Sequence, residues 1–189
     1  IVVNNAGLHL IAPAELASIE DSMAILDTNV LGPLRVMKAV LPAMRARGAG
    51  RIINVTSGAS FIPVPHMAMY SASKHALDAL SASMANELKP FGVSILIVAP
   101  GMFRTSIMDK GLLPRETYEY SAYAAEQCEK HITDVDVAHD PQPVADAIVR
   151  SALEDDPPLR RLVGDGVVAA FTAIAEMRDG YQERFAPRS

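Results

Sequence analysis

The sequence predicts a doubly wound α/β domain built on a parallel sheet. Short apolar, β-rich runs alternate with longer stretches of helical periodicity. Those runs show little polar alternation, as expected of strands covered on both faces. Each stops at glycine, serine or proline. The 189 residues, half of them hydrophobic and 21% charged, are enough for one such domain and its core.

The elements follow in order. The run Ile1 to Asn5 is the first strand, ending in Asn4-Asn5-Ala6-Gly7. From Ser18 to Arg47, Met23, Leu26, Val30, Met37, Leu41 and Met44 recur near helical spacing. Gly32-Pro33 and Pro42 predict a kink or break there, and Gly48 and Gly50 read as its C-terminal cap and turn. Arg51 to Thr56 is the second strand. A helix follows from Ser71 to Leu88, with Leu77, Leu80, Met84 and Leu88 on one stripe, closed by Pro90-Phe91-Gly92. The third strand, Val93 to Val98, runs through Ala99 into Pro100-Gly101.

From Met102 to Asp140 the alternation lapses, and Tyr118, Tyr120 and Tyr123 mix with acidic residues. An insertion after a strand's carboxyl end is where a lid or substrate loop sits; the plainer alternative is a surface helix pair. Asp140-Pro141 supplies a cap and first turn for a helix bearing Val144, Ile148 and Ala152. Arg160 to Val163 is the fourth strand, and Gly166 to Phe185, with Val167, Phe171, Ile174 and Met177, an amphipathic helix. The expected organisation is one domain over 1–189: a catalytic core 1–101, a lid 102–140 and a helix–strand–helix 141–189.

Composition excludes several classes. Net charge is −5 with scattered basic residues, unlike a nucleic-acid binder. The single cysteine, Cys128, leaves no internal disulfide. No apolar run approaches the roughly 18 residues of a membrane span. His9, His66, His75, His131 and His139 show no metal-ligand spacing, so no metal is expected.

Chemistry concentrates in Ser57, Tyr70 and Lys74. Tyrosine and lysine four residues apart share a helix face, which sets the ammonium beside the phenol. An adjacent cation lowers a phenol's pKa, so the pair reads as a general acid/base. By itself such a pair is ordinarily a solvated helix pair. The loop between Ser57 and Tyr70 adds Phe61, Ile62, Val64 and Met69, which with Met102 point to an apolar substrate pocket. His66 in that loop is either a surface residue or a hydrogen-bonding partner for substrate.

The ordered set Asn4-Asn5-Ala6-Gly7, Asn29-Val30-Leu31-Gly32, Ser57, Tyr70-Ser-Ala-Ser-Lys74 and Pro100-Gly101 with Thr105 resembles the short-chain dehydrogenase/reductase family. The likeness is strong from Ile1 to about Thr105 and weaker beyond. It implies a Rossmann-like fold and an NAD- or NADP-dependent oxidoreductase that interconverts a secondary alcohol and a ketone, the apolar loop favouring a steroid- or retinoid-like substrate. By the resemblance, Tyr70 exchanges the proton, Lys74 lowers its pKa and binds the nicotinamide ribose, and Ser57 holds the substrate oxygen. Asn29 keeps a water against Lys74 through its backbone carbonyl. Asn4, Asn5, Ala6 and Gly7 line the cofactor groove and also tie strand ends. Pro100, Gly101, backbone near Phe103 and the Thr105 hydroxyl meet the cofactor. Thr56 and Ser60 rival Ser57, but its thirteen-residue spacing to Tyr70 favours Ser57. A homodimer or homotetramer through the helices Ser18–Arg47 and Ser71–Leu88 is implied, with no nucleic-acid partner, in the cytoplasm.

The family's glycine-rich Thr-Gly-x-x-x-Gly-x-Gly turn has no counterpart here. That turn seats a pyrophosphate on a helix N-terminus and normally lies about 80 residues before the Asn-Asn-Ala-Gly run, at ~30 per βαβ unit. The chain is therefore expected to be the C-terminal portion of a longer protein, lacking the first βαβαβ half. Its first strand would then be an open edge, and the isolated chain would bind dinucleotide poorly, turn over little and aggregate. The remaining alternatives are a sugar-nucleotide epimerase or dehydratase on the same scaffold, and a non-catalytic scaffold that has lost its cofactor half.

Overall fold

The computed structural model describes residues 1–105, 107, 126 and 140–185. Most of the expected lid, with Tyr118, Tyr120, Tyr123, Cys128, His131 and His139, lies outside the described residues. The strands are β1 (Val2–Asn4), β2 (Gly50–Val55), β3 (Val93–Pro100) and β4 (Arg160–Val163). The helices are α1 (Ile19–Leu26), α2 (Gly32–Arg47), α3 (Ala68–Leu88), α4 (Gln142–Leu153) and α5 (Asp165–Phe185). The four strands form one sheet in the order β1-β2-β3-β4, and every pairing is parallel.

Helices cover both faces, which is the doubly wound arrangement. Successive strand residues point to opposite faces. Thus Ile52 and Ile95 pack with Met37, Leu41 and Met44 of α2 and Leu88 of α3. Their neighbours Ile53, Leu96 and Val98 pack with Ala147 of α4 on the other side. Ile52, Ile53, Ile97 and Val98 are wholly buried, each contributing roughly 1.5–3 kcal/mol. No polar alternation survives in β2 or β3 because neither face meets water. β1 pairs only with β2 among the described residues, and Val3 and Ile1 are exposed at that edge.

Local chemistry sets the helix ends. Ser18 caps α1, its hydroxyl accepting from Asp21 N at 3.0 Å and donating to Asp21 Oδ2 at 2.8 Å. Asp140 accepts from Gln142 N at 2.8 Å at the start of α4. From β2, Arg51 donates to the carbonyls of Ser151, Ala152 and Glu154 at 3.1, 2.7 and 2.8 Å, closing the C-terminus of α4.

The break expected at Gly32-Pro33 is instead a π turn over Asp27–Leu31, in which Gly32 N reaches back to Asp27 O. Pro33 has no N–H for the carbonyl of Asn29 four residues earlier, so the ladder loses an α-type bond there and the turn widens upstream. Pro42 stays inside α2 on its exposed side, where solvent can replace the missing donor.

Gly48 and Gly92 end their helices with φ of 64° and 67°. They differ in surroundings. A Cβ on Gly48 meets nothing within 4 Å, whereas one on Gly92 would fall on the Gly48 carbonyl. Gly48→Ala is expected to cost only the left-handed backbone penalty of about 1–2 kcal/mol. Gly92→Ala should cost clearly more, because two backbones must separate. Chemical denaturation of both variants checks the ranking; equal losses would contradict it.

Candidate active site

The turns after β1, β2 and β3 open on the same carboxyl edge of the parallel sheet, where ligands bind in such folds. They carry Asn4 to Gly7, Ser57, and Pro100 to Thr105. Ser57 is extended and caps a single 3₁₀ turn, Gly58–Ser60, accepting from Ala59 N at 3.2 Å. Tyr70 and Lys74 lie in the first two turns of α3.

The three chemical side chains meet. Ser57 hydrogen-bonds the Tyr70 phenol, and Lys74 Nζ stands 5.8 Å from the centre of the Tyr70 ring. Lys74 is 3% exposed and donates to Val55 O at 3.0 Å. An ammonium has three N–H donors, so two more are left for the hydroxyls of a ligand such as a ribose. Among the rivals, Thr56 Oγ1 is buried and turned to Val98 O at 3.4 Å. Ser60 is buried and does not line the cavity described below.

The electrostatics depart from the sequence expectation. Burial raises the phenol of Tyr70 above its usual 10.0, and the Ser57 hydrogen bond only partly offsets this. Burial likewise lowers Lys74 from 10.5 to about 8. Both charged forms pay for leaving water.

Asn29 organises the surroundings. Wholly buried in the π turn, its amide donates to Leu8 O at 2.8 Å and Ser73 Oγ at 2.9 Å, and its oxygen accepts from Leu8 N at 2.8 Å. Ser73 Oγ in turn donates to Tyr70 O at 2.7 Å. One side chain thus ties the loop after β1 to the start of α3. A mid-helix asparagine would ordinarily be mildly unfavourable; three tertiary bonds reverse that.

The other predicted positions separate into two groups. Asn4 donates to Asn54 Oδ1 at 2.7 Å, and Asn54 donates to Ser81 Oγ at 2.8 Å, a strand-tying role. Asn5 and Ala6 are exposed. A Cβ on Gly7 would stand 3.3 Å from Asn29 Oδ1 and 3.5 Å from Lys74 Nζ, so glycine lets this loop lie against both. Pro100 ends β3, and Gly101 N donates to Val163 O at 2.8 Å. Gly101 and Phe103 line the cavity, while Thr105 is exposed, its hydroxyl accepting a long bond from Ile107 N at 3.5 Å.

A cavity of about 250 Å³ adjoins Ser57 and Tyr70. Ile62, Val64 and Met102 line it as expected. Phe61 turns instead to Phe171 of α5, edge-on at 5.0 Å, and Met69 joins Leu10 and Ile25 beneath the loop. His66 takes φ 61°, and its carbonyl accepts from Ala12 N at 2.7 Å. It is not among the residues lining the cavity. Sequence reasoning missed His9 and Val167, both on the wall. His9 lies two residues past Gly7, a place that could have flagged it. Nothing local marks Val167, whose Cγ2 lies 2.7 Å from where a Gly58 Cβ would stand and 3.0 Å from one on Gly101. Two glycines therefore admit α5 to the cavity wall.

A parallel α/β sheet that gathers a serine, a tyrosine and a lysine at its carboxyl edge defines a Rossmann-like protein of the dehydrogenase type. The chain belongs to the short chain dehydrogenase family, which matches residues 1–114. It is 32% identical over 178 residues to the 3-ketodihydrosphingosine reductase of Bacteroides thetaiotaomicron, covering 90% of this chain and 65% of that one. To human 17-beta-hydroxysteroid dehydrogenase type 1 it is 33% identical, covering 85% of this chain and 51% of that protein. Among solved structures, a short-chain dehydrogenase from Streptomyces avermitilis superposes with TM-score 0.81 at 30% identity, over 97% of this chain and 67% of that one. A metagenomic short-chain oxidoreductase in complex with NADP gives 0.63 at 27% identity, over 86% and 60%. Among the described residues, no cluster could hold a metal ion and no helix is long and apolar enough to cross a membrane.

Proposed function

We propose that the protein carrying this chain is an NAD- or NADP-dependent oxidoreductase that interconverts a secondary alcohol and a ketone. The observation that carries the proposal is the convergence of Ser57, Tyr70 and buried Lys74 beside an apolar cavity. The nicotinamide supplies or accepts the hydride. In ketone reduction Tyr70 gives its proton to the substrate oxygen, and in alcohol oxidation it takes that proton back. Ser57 donates to the same oxygen and stabilises charge developing there. Lys74 carries charge beside the phenol and offers its two remaining N–H groups to the ribose. Asn29 holds the geometry through Leu8 and Ser73, and its backbone carbonyl, denied an α-type donor by Pro33, is suited to hold a water against Lys74.

The turn carrying Asn4, Asn5, Ala6 and Gly7, together with Pro100, Gly101, Phe103 and Thr105, forms the cofactor side of the site. The substrate lies on the Ile62, Val64 and Val167 side, which suits a lipophilic ketone of the kind named for the sphingoid and steroid relatives. A homo-oligomer forms through the layer of α1, α2 and α3, where Val36 and Met23 are exposed.

The test is consumption of NADH or NADPH by the purified protein with lipophilic ketones, compared with Ser57→Ala. Loss of one hydrogen-bond donor to the developing oxyanion should lower kcat/KM roughly 10²-fold. If no ketone or alcohol elicits nicotinamide turnover, the proposal fails.

A further inference from the structure

Helix α5 bears on the acid/base set from outside it. Val167 and Phe171 lie one turn apart on that helix and share a face. Both press on one short element, the 3₁₀ turn Gly58–Ser60 that Ser57 caps. Val167 Cγ2 lies 2.7 Å from where a Gly58 Cβ would stand, so its methyl packs directly on the glycine. Phe171 meets Phe61, the residue that ends the turn, edge-on with ring centroids 5.0 Å apart. Neither Phe61 nor Phe171 is among the described residues lining the cavity.

A single 3₁₀ turn has little stability of its own, because its hydrogen bonds are few and poorly aligned. This one is closed by Ser60 N donating to Ser57 O at 2.9 Å and Phe61 N donating to Gly58 O at 3.0 Å. Glycine at its first position adds backbone freedom that folding must remove. Tertiary contacts therefore decide where the turn lies. The Ser57 hydroxyl follows it: Oγ accepts from Ala59 N at 3.2 Å and also hydrogen-bonds the Tyr70 phenol. A shift of the turn breaks the first bond and frees the rotamer on which the second depends.

We propose that Phe171 is a positioning residue, whose ring against Phe61 holds the 3₁₀ turn where it aims the Ser57 hydroxyl at Tyr70 and the reacting oxygen. Val167 shares the task from the same helix face. It also lines the cavity, so Phe171 is the residue whose truncation isolates the effect from substrate contact. This inference rests on the acid/base reading of Ser57 and Tyr70 and deepens it.

The experiment is a double-mutant cycle on the purified protein, with acetophenone and NADPH or NADH. Phe171→Ala should lower kcat about tenfold, as a small misplacement of a reacting group does. KM for the ketone should stay within about threefold, because Ser57 acts on charge that develops in the transition state. Phe171→Tyr keeps the ring and should hold kcat within about twofold of wild type. In a Ser57→Ala background the same truncation to alanine should cost less than about twofold, since residues that act as a unit are not additive. Phe61→Ala removes the other half of the contact and stands in should Phe171→Ala not fold. Titration of the Tyr70 phenol needs no turnover; NMR of isotope-labelled tyrosine follows it, with Tyr70→Phe giving the assignment. The Ser57 hydrogen bond lowers that pKa, so Ser57→Ala and Phe171→Ala should each raise it, and both together no more than one alone. An unmoved kcat and phenol titration in Phe171→Ala, or equal losses with and without Ser57, overturn the proposal. Turnover that survives Ser57→Ala intact sinks the acid/base reading of Ser57, whereas a full Ser57 effect with an additive Phe171 effect sinks only this one.

Discussion

Tyr70→Phe is expected to reduce kcat/KM roughly 10²–10⁴-fold, the usual contribution of a positioned general acid/base. The substitution removes one hydroxyl and keeps the ring. Its packing against His9 at 6.4 Å and beside Lys74 at 5.8 Å should therefore persist, and the fold with it. What disappears is the proton and the hydrogen bond to Ser57. Steady-state rates with either reduced nicotinamide measure the loss, and cofactor titration by calorimetry should show affinity within about threefold of wild type. Survival of turnover within about tenfold would mean that another group moves the proton.

Lys74→Met should lower turnover by a similar order, about 10²-fold or more, and it carries a second, independent signature in stability. Folded Lys74 releases its proton near pH 8, whereas the unfolded chain holds it to about 10.5. Between those values the unfolded state binds more protons, so unfolding free energy rises with pH. Below about pH 8 both states are protonated and the cost of the buried ammonium is fully present. Methionine has a similar length and no charge, so its variant should lack that rise. Tyr70 acts in the opposite sense above its unfolded value of 10.0, since the folded phenol keeps its proton longer. Urea titrations of both proteins from about pH 7 to about pH 10 should therefore show curves that differ most at the acidic end. Parallel curves across that range would show that Lys74 is not desolvated.

Much of the fold was legible because its signals are local. Each strand reads from an apolar run that ends at a turn former, and the wholly buried Ile52 and Ile53 show why no alternation was visible. Ser18, Asp140, Gly48 and Gly92 announce helix ends through groups within a few residues of themselves. The break between α1 and α2 was legible as to cause but not as to place. Pro33 withholds a donor, yet the strain is relieved upstream at Asp27–Leu31, where Asn29 finds Leu8 and Ser73. Phe61 was read as a pocket residue from its position in the loop, but its partner Phe171 comes from α5, over a hundred residues away.

The order of residues by itself determined the parallel α/β class and the strand and helix succession, and it singled out Ser57, Tyr70 and Lys74 as candidates that the fold then brings together. Periodicity, turn chemistry and short spacings act over a few residues and survive translation into one dimension. Only the tertiary structure decided that the phenol rises and the ammonium falls in pKa, because desolvation depends on everything packed around a group. It alone brought His9 and Val167 to the same cavity, since residues on separate turns become neighbours only when strands align and helices dock. The sheet's carboxyl edge is where those distant segments meet, and so it is there that packing, rather than local pattern, sets the chemistry.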